Sequence, residues 1–326
     1  MRPGTSFSPR RCSWFGIPPR PTFRRVLELG LGLIRLSAFW DEIRKDGYAE
    51  LDWLLDAARV TRQQVLLTVG MKGIQWPEFY IPPDVDPGAR RFARIGLDSR
   101  FSDEVIAFVS ETVARYRDRH EIAGWQVENE PFNRSGPHRW WIDQSLVRRE
   151  IESVRALDAR PIVVNAFSRF NWLVDLVSRP RRGPLGASRL APERAILDLI
   201  GEHDILGLDV YTTLSAPLWG RSVVHRAARD WAEAAGRWLR VAQAQGTEAW
   251  IIEAQAEPWE SPLDALANSR SFAPGDMRTM YRKLEQVGYK TILLWGCEYW
   301  FWRAAAGDGR WLDAARHLLE PRETLD

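Results

Sequence analysis

The sequence predicts a single (β/α)8 TIM barrel of the α/β class, on three observations. The chain has 326 residues, 45% of them hydrophobic and 27% charged, which is enough to bury one large core. Short β-branched and apolar segments alternate with longer amphipathic ones, and the alternation counts out eight times. Several short segments are apolar almost without interruption, as in Val65-Leu66-Leu67-Thr68-Val69 and Thr291-Ile292-Leu293-Leu294-Trp295. Strands of a parallel sheet covered on both faces read that way.

Taken in order, strands are predicted over 5–8, 33–39, 65–69, 124–127, 161–165, 205–210, 249–253 and 291–295. Helices fall between them where apolar positions recur at three and four, as over 51–58, 103–116 and 227–244. No composition shift or linker divides the chain, so residues 1–326 are expected to form one catalytic barrel. The Pro-, Gly- and Arg-rich run around 179–190 reads as a flexible surface loop. A doubly wound sheet is the alternative arrangement of the same elements.

Composition narrows the function. The formal net charge is +2, and the basic residues are scattered, so the clustered excess that a nucleic-acid or anionic-membrane surface needs is missing. No run of 18 apolar residues and no apolar leader occurs, which predicts no membrane segment and a cytoplasmic protein, or a secreted one if a leader was removed. Two cysteines, Cys12 and Cys297, suggest neither a disulfide framework nor a zinc site. The five histidines form no HxH or HExxH pattern, so no metal and no cofactor is expected. Gly30-Leu31-Gly32 precedes a strand and lacks a third glycine, which excludes a dinucleotide fingerprint. Against few histidines stand 17 tryptophans, the side chain best suited to stack on the apolar face of a sugar ring.

In a (β/α)8 barrel the reactive groups sit at the C-terminal ends of the strands. Two strand ends carry glutamates: Trp125-Gln126-Val127-Glu128-Asn129-Glu130-Pro131 on the fourth, and Ile251-Ile252-Glu253-Ala254-Gln255-Ala256-Glu257-Pro258-Trp259 on the seventh. A pair of carboxyl groups about 5–5.5 Å apart, one protonated and one ionised, is what cleavage of a glycosidic bond with retention requires. Glu130 and Glu253 are the candidate pair. Glu257, four residues on, is the rival of Glu253, and Glu128 reads as a structural ion-pair partner inside or below the barrel.

These residues resemble those of the clan A glycoside hydrolases, the retaining barrels that include cellulase-like family 5 proteins and β-galactosidases. Asn129-Glu130-Pro131 is similar to the Asn-Glu pair that ends strand four there, and Glu253 stands where the clan keeps its nucleophile. The resemblance implies that Glu130 is the acid/base and that Asn129 binds the substrate 2-hydroxyl. It implies further that Arg35 and Tyr211 hydrogen-bond the nucleophile and that Trp295 floors the subsite where the sugar is attacked. It covers roughly residues 5–319, and its implied partner is a β-linked carbohydrate. The chain departs from family 5 cellulases after the third strand, where Met71, Lys72 and Trp76 stand in place of histidine, and at Asp209, which precedes Tyr211. Lys72, Trp76, Glu78 and Asn165 are candidates for the wall that selects the sugar.

The expected function is hydrolysis of a β-glycoside by double displacement. The alternatives are a barrel that binds or transglycosylates carbohydrate without efficient hydrolysis, and a Schiff-base enzyme. Lys72 is the sole lysine near a strand's C-terminal end, and would have to serve the latter.

Overall fold

The computed structural model describes residues 3–168, 191–218, 221–260, 266–269 and 271–319. Eight parallel strands close into a barrel: β1 (Gly4–Ser6), β2 (Ile34–Ser37), β3 (Val65–Val69), β4 (Ile122–Val127), β5 (Ile162–Ser168), β6 (Ile205–Val210), β7 (Glu248–Gln255) and β8 (Ile292–Trp295). Each strand pairs with its neighbours in sequence, and β1 closes the ring by pairing with both β2 and β8. This is the expected (β/α)8 order and not the doubly wound sheet. All eight predicted strands are present, with ends that move by a few residues. The expected loop around 179–190 lies outside the described residues.

The pleat explains how one sheet serves two cores and a site. Leu33, Leu66, Val163, Ile205, Ile252 and Leu293 point inward and form a small plug inside the ring. Their neighbours Ile34, Leu67, Val164, Leu206 and Ile251 point outward into the large core beneath the helices. Above the plug the inward positions turn polar, with Arg35, Thr68, Gln126, Asn165 and Asp209 all buried. That switch from apolar to polar along the same face marks the C-terminal end of the strands.

The helices follow local signals. The predicted 103–116 segment extends back to Ser99–Tyr116, because Asp98 caps the first turn by accepting from the Phe101 amide at 2.8 Å. The predicted 227–244 segment begins only at Trp231, since Thr213–Leu218 and Arg221–Arg226 form an antiparallel hairpin after β6. Two-residue strands Arg94–Ile95 and Trp141–Ile142 pair with each other and tie the long loops after β3 and β4 together. No helix of the described residues is long and apolar enough to cross a membrane. Cys12 and Cys297 are buried free thiols.

One buried charge cluster supports the barrel mouth between β1, β7 and β8. The Arg11 guanidinium bonds both oxygens of Glu257 and lies 3.6 Å from Glu298, which also accepts the Ser8 amide at 2.6 Å. Burial pushes the Glu257 carboxyl up to about 7, with Arg11 opposing and Glu298 adding to the shift. Because that value lies above the ordinary 4.5, Glu257 costs the fold stability as pH rises from about 4.5 through about 7. Arg11→Met strands two buried carboxylates without their cation, so a loss of about 3–5 kcal/mol is expected at pH 8. The loss should shrink at pH 5, where Glu257 takes up a proton. Urea unfolding at the two pH values checks this, and an equal loss at both would contradict it.

Candidate active site

The fourth strand ends in a strained coil. Glu128 and Glu130 have φ of +58° and +47°, left-handed values that cost a non-glycine residue on the order of 1–3 kcal/mol each. Fixed hydrogen bonds hold them there. The two carboxylate oxygens of Glu128 accept from the Met71 and Lys72 amides at 2.9 and 2.6 Å, and the Glu130 amide donates to Asn165 Oδ1 at 2.9 Å. Gly70 has φ of +116°, and a Cβ there would lie 2.5 Å from the Glu128 carboxylate, so glycine is required. Glu128 is therefore not half of an ion pair, as its sequence context suggested. Its carboxylate sits on backbone amides and against Glu150, which burial and the Glu128 charge hold well above the usual carboxylate range. The sequence could not show that Glu150, a helical residue, would face it.

The seventh strand ends in a bulge. The register against β6 shifts between Ile251 and Glu253, and against β8 between Ile251 and Ala254. A regular strand would point Ile252 and Glu253 to opposite faces, whereas here Ile252 fills the plug and Glu253 also turns into the barrel mouth. Arg35 Nη2 donates to Glu253 Oε1 at 2.6 Å, and the Tyr211 hydroxyl donates to Oε2 at 2.5 Å. Both oxygens of this buried carboxylate are thus engaged, one of them by a fixed cation on β2.

The two strand ends meet. Single carboxyl oxygens of Glu130, Glu253 and Asp209 all lie within 4.8 Å of one another. Two negative charges at that distance repel by about 3.5 kcal/mol at an effective dielectric of 20, so the three are not all ionised. Burial, then the charges of Glu253 and Glu78, push Glu130 up to about 7 against the pull of Lys72. Burial and the charges of Glu253 and Glu130 hold Asp209 well above the usual range. Such a trio is close enough to ring a cation, yet Arg35 and Tyr211 already take Glu253, and we assign no metal ligands here.

The remaining candidates frame this centre. Asn129 Oδ1 accepts from Asn165 Nδ2 at 2.9 Å and from Arg35 Nη2 at 3.3 Å. Asn165 is buried with both ends engaged: its Oδ1 also accepts from Gln126, and its Nδ2 also donates to Asp209 at 2.6 Å. It lies beneath the pair and reaches no open wall. Gly207 leaves it that room, since a Cβ there would lie 2.6 Å from Asn165 Cβ. Lys72 is also buried, with Nζ donating to the Glu130 carbonyl at 2.7 Å and lying 3.2 Å from Glu78 Oε2 and 3.9 Å from Glu130 Oε2. Its ammonium is thus tied to the acid and to Glu78. Trp76 stands on the same loop, 63% exposed.

Trp295 closes β8, 8% exposed, in an apolar cluster with Phe39, Ile74, Tyr80 and Tyr211. Its indole donates to Glu257 Oε1 at 3.2 Å, and the Arg11 guanidinium lies 5.3 Å from its ring. Glu257, the sequence rival of Glu253, is therefore committed behind the tryptophan. Sequence reasoning missed Asn133, whose Nδ2 donates to Glu130 Oε2 at 2.9 Å, and the role of Trp259, whose ring meets Tyr211 edge-on at 4.7 Å. It noted Asp209 only as a departure. The signal for Trp259 was its place in the loop after Glu253; Asn133 carried none.

This geometry sits on a barrel with known counterparts. The β-galactosidase from Bacillus circulans sp. alkalophilus is 12% identical over 90% of this chain, with a TM-score of 0.58, and this chain spans 50% of its length. A GH5 family lichenase from Caldicellulosiruptor sp. F32 is 14% identical, with a TM-score of 0.56 over 94% of this chain and 86% of that one. The fold shared with these solved structures is the (β/α)8 barrel. The endoglucanase Cel5A from Pseudomonas stutzeri extends the likeness to 99% of this chain and 95% of its own, at 14% identity and a TM-score of 0.57. No protein-family model and no curated protein matches the sequence. At these identities the likeness is one of fold.

Proposed function

We propose that the protein is a retaining β-glycosidase that works by double displacement. The observation that carries this reading is the approach of Glu130 and Glu253 to within 4.8 Å, in environments that set them apart. A short separation suits a covalent intermediate, whereas an inverting pair stands about 6.5–9.5 Å apart to admit water. The named fold counterparts, a β-galactosidase, a lichenase and an endoglucanase, support action on a glycoside as the reaction class.

In this reading Glu253, positioned by hydrogen bonds from Arg35 and Tyr211, attacks the anomeric carbon as a carboxylate. Glu130 gives its proton to the departing oxygen, and the C–O bond breaks with its electron pair on that oxygen. Glu130 then takes a proton from water as the glycosyl ester is hydrolysed. Asn129 binds the 2-hydroxyl, a bond that strengthens as positive charge grows on the ring. Trp295 floors the subsite. Trp76 forms one wall of the cleft, Lys72 holds Glu130 and Glu78 from within, and Asn165 supports the site through Asn129 and the Glu130 amide.

A panel of aryl β-glycosides (gluco, galacto, manno, xylo and fuco) tests the reading. Hydrolysis of at least one is expected, with the first-formed sugar retaining the β-configuration by proton NMR. The alkaline limb of kcat/KM should fall tenfold per pH unit above about 7, because Glu130 must carry a proton to donate it. An α-configured first product would sink the mechanism. Binding of β-glucans with no turnover of any member would favour the carbohydrate-binding reading.

A further inference from the structure

Asp209 has no part in the two-carboxylate scheme, yet it is the most confined acid in the site. Its side chain on β6 is wholly buried. Oδ2 accepts the Asn165 amide at 2.6 Å, and no N–H or O–H donor of the described residues reaches Oδ1. The carboxyl groups that approach Asp209 are those of Glu130 and Glu253, each with an oxygen within 4.8 Å of it. Two carboxyls share a hydrogen bond only when one of them carries the proton. The other charged or titratable groups facing Asp209 are Glu253 from β7, Tyr211 from the end of β6 and Arg35 from β2. Arg35 is already spent on Glu253 at 2.6 Å. An ionised Asp209 would place a further negative charge, with Arg35 already bound to Glu253, within 4.8 Å of two other buried carboxyls, whereas a neutral one adds no charge and gives Oδ1 a proton to donate.

We propose that Asp209 is a neutral acid at working pH, a positioning residue whose hydroxyl donates to Glu130. This rests on the glycosidase reading and deepens it. Before reaction the bond aims the Glu130 carboxyl toward the glycosidic oxygen, with Asn133 and Lys72 on its other sides. After Glu130 has given up its proton, the same hydroxyl donates to the carboxylate that remains and stabilises it. Asp209 neither gains nor loses a proton during turnover, so the overall balance of the reaction is unchanged.

The direct test needs no substrate. Infrared difference spectra at pH 8 between the wild type and Asp209→Asn should show a protonated-carboxyl C=O stretch present only in the wild type. Glu130→Gln should move that band without abolishing it, because the partner of the bond changes. The kinetic test follows if turnover is found. Asp209→Ala should lower kcat about tenfold to a hundredfold, the range of one hydrogen bond to a charged group, and move the alkaline limb to higher pH. Asp209→Asn, which keeps a donor, should recover most of the rate with the limb near its wild-type place. An ionised Asp209 predicts the opposite, with no infrared band and both variants shifting the limb to lower pH as a negative charge is removed. Either result overturns the proposal. A protein with the band but no glycosidase activity would retain this assignment and discard the function.

Discussion

Glu253→Gln is expected to lower kcat on the order of 10⁵-fold on every β-glycoside that the protein turns over, activated or not. The size follows from what the residue does: without it no covalent glycosyl intermediate forms, and removal of a catalytic nucleophile typically costs between 10⁴- and 10⁶-fold. The leaving group should not matter, because the missing bond is to carbon. The structure adds a second expectation. Glu253 raises the proton affinity of Glu130, so neutralising it should lower the pH at which Glu130 titrates. Carbon-13 NMR of the glutamate carboxyls measures this. Incubation of the wild type with an activated 2-fluoro glycoside, followed by peptide mapping, names the nucleophile independently. An adduct on Glu257 would reverse the assignment, although that carboxylate is held by Arg11 behind Trp295.

Glu130→Ala should show the complementary pattern. On alkyl glycosides and oligosaccharides, whose departing oxygen needs a proton, the loss should reach about 10²- to 10⁴-fold. On a dinitrophenyl glycoside, whose leaving group departs unaided, glycosylation should be nearly as fast as in the wild type. Hydrolysis of the intermediate then becomes limiting, because the same residue serves as base in the second step, and a burst of phenol should precede a slow steady state. Comparing kcat/KM across leaving groups of graded acidity checks the contrast. Equal losses throughout would mean that Glu130 aims the substrate and transfers no proton.

The two variants separate roles that the structure distinguishes by environment. Glu253 has both oxygens engaged, one by the Arg35 guanidinium and one by the Tyr211 hydroxyl. Glu130 is buried among negative neighbours with one lysine near, which favours its proton. Like groups driven apart in this way are what acid/base division of labour needs.

Much of this was legible in the linear chain. The apolar runs at β3 and β8 are continuous because both faces of a parallel strand are buried, and the alternation of such segments with amphipathic ones counts out eight units. The glutamates were legible because a strand's C-terminal end is a definable place once the strands are numbered. Arg35, Tyr211 and Trp295 came from the resemblance to the clan A glycoside hydrolases. The hairpin over 213–226 was not read, since two short strands pairing only with each other leave no barrel-like period. Nor was the bulge at Ile252 and Glu253, which changes which way a side chain points without changing which residues are present.

The sequence by itself determined the eight strand–helix units and the strand ends that carry carboxylates, because burial on both faces of a strand is written in local composition. Only the tertiary structure decided that Glu128 belongs to backbone amides and Glu150, that Glu257 belongs to Arg11, and that Asp209 lies against Glu130. The physical reason is that the charge state of a buried acid depends on neighbours contributed by other strands. Those neighbours are set by the closure of the barrel and by one-residue shifts in register, which no local pattern records.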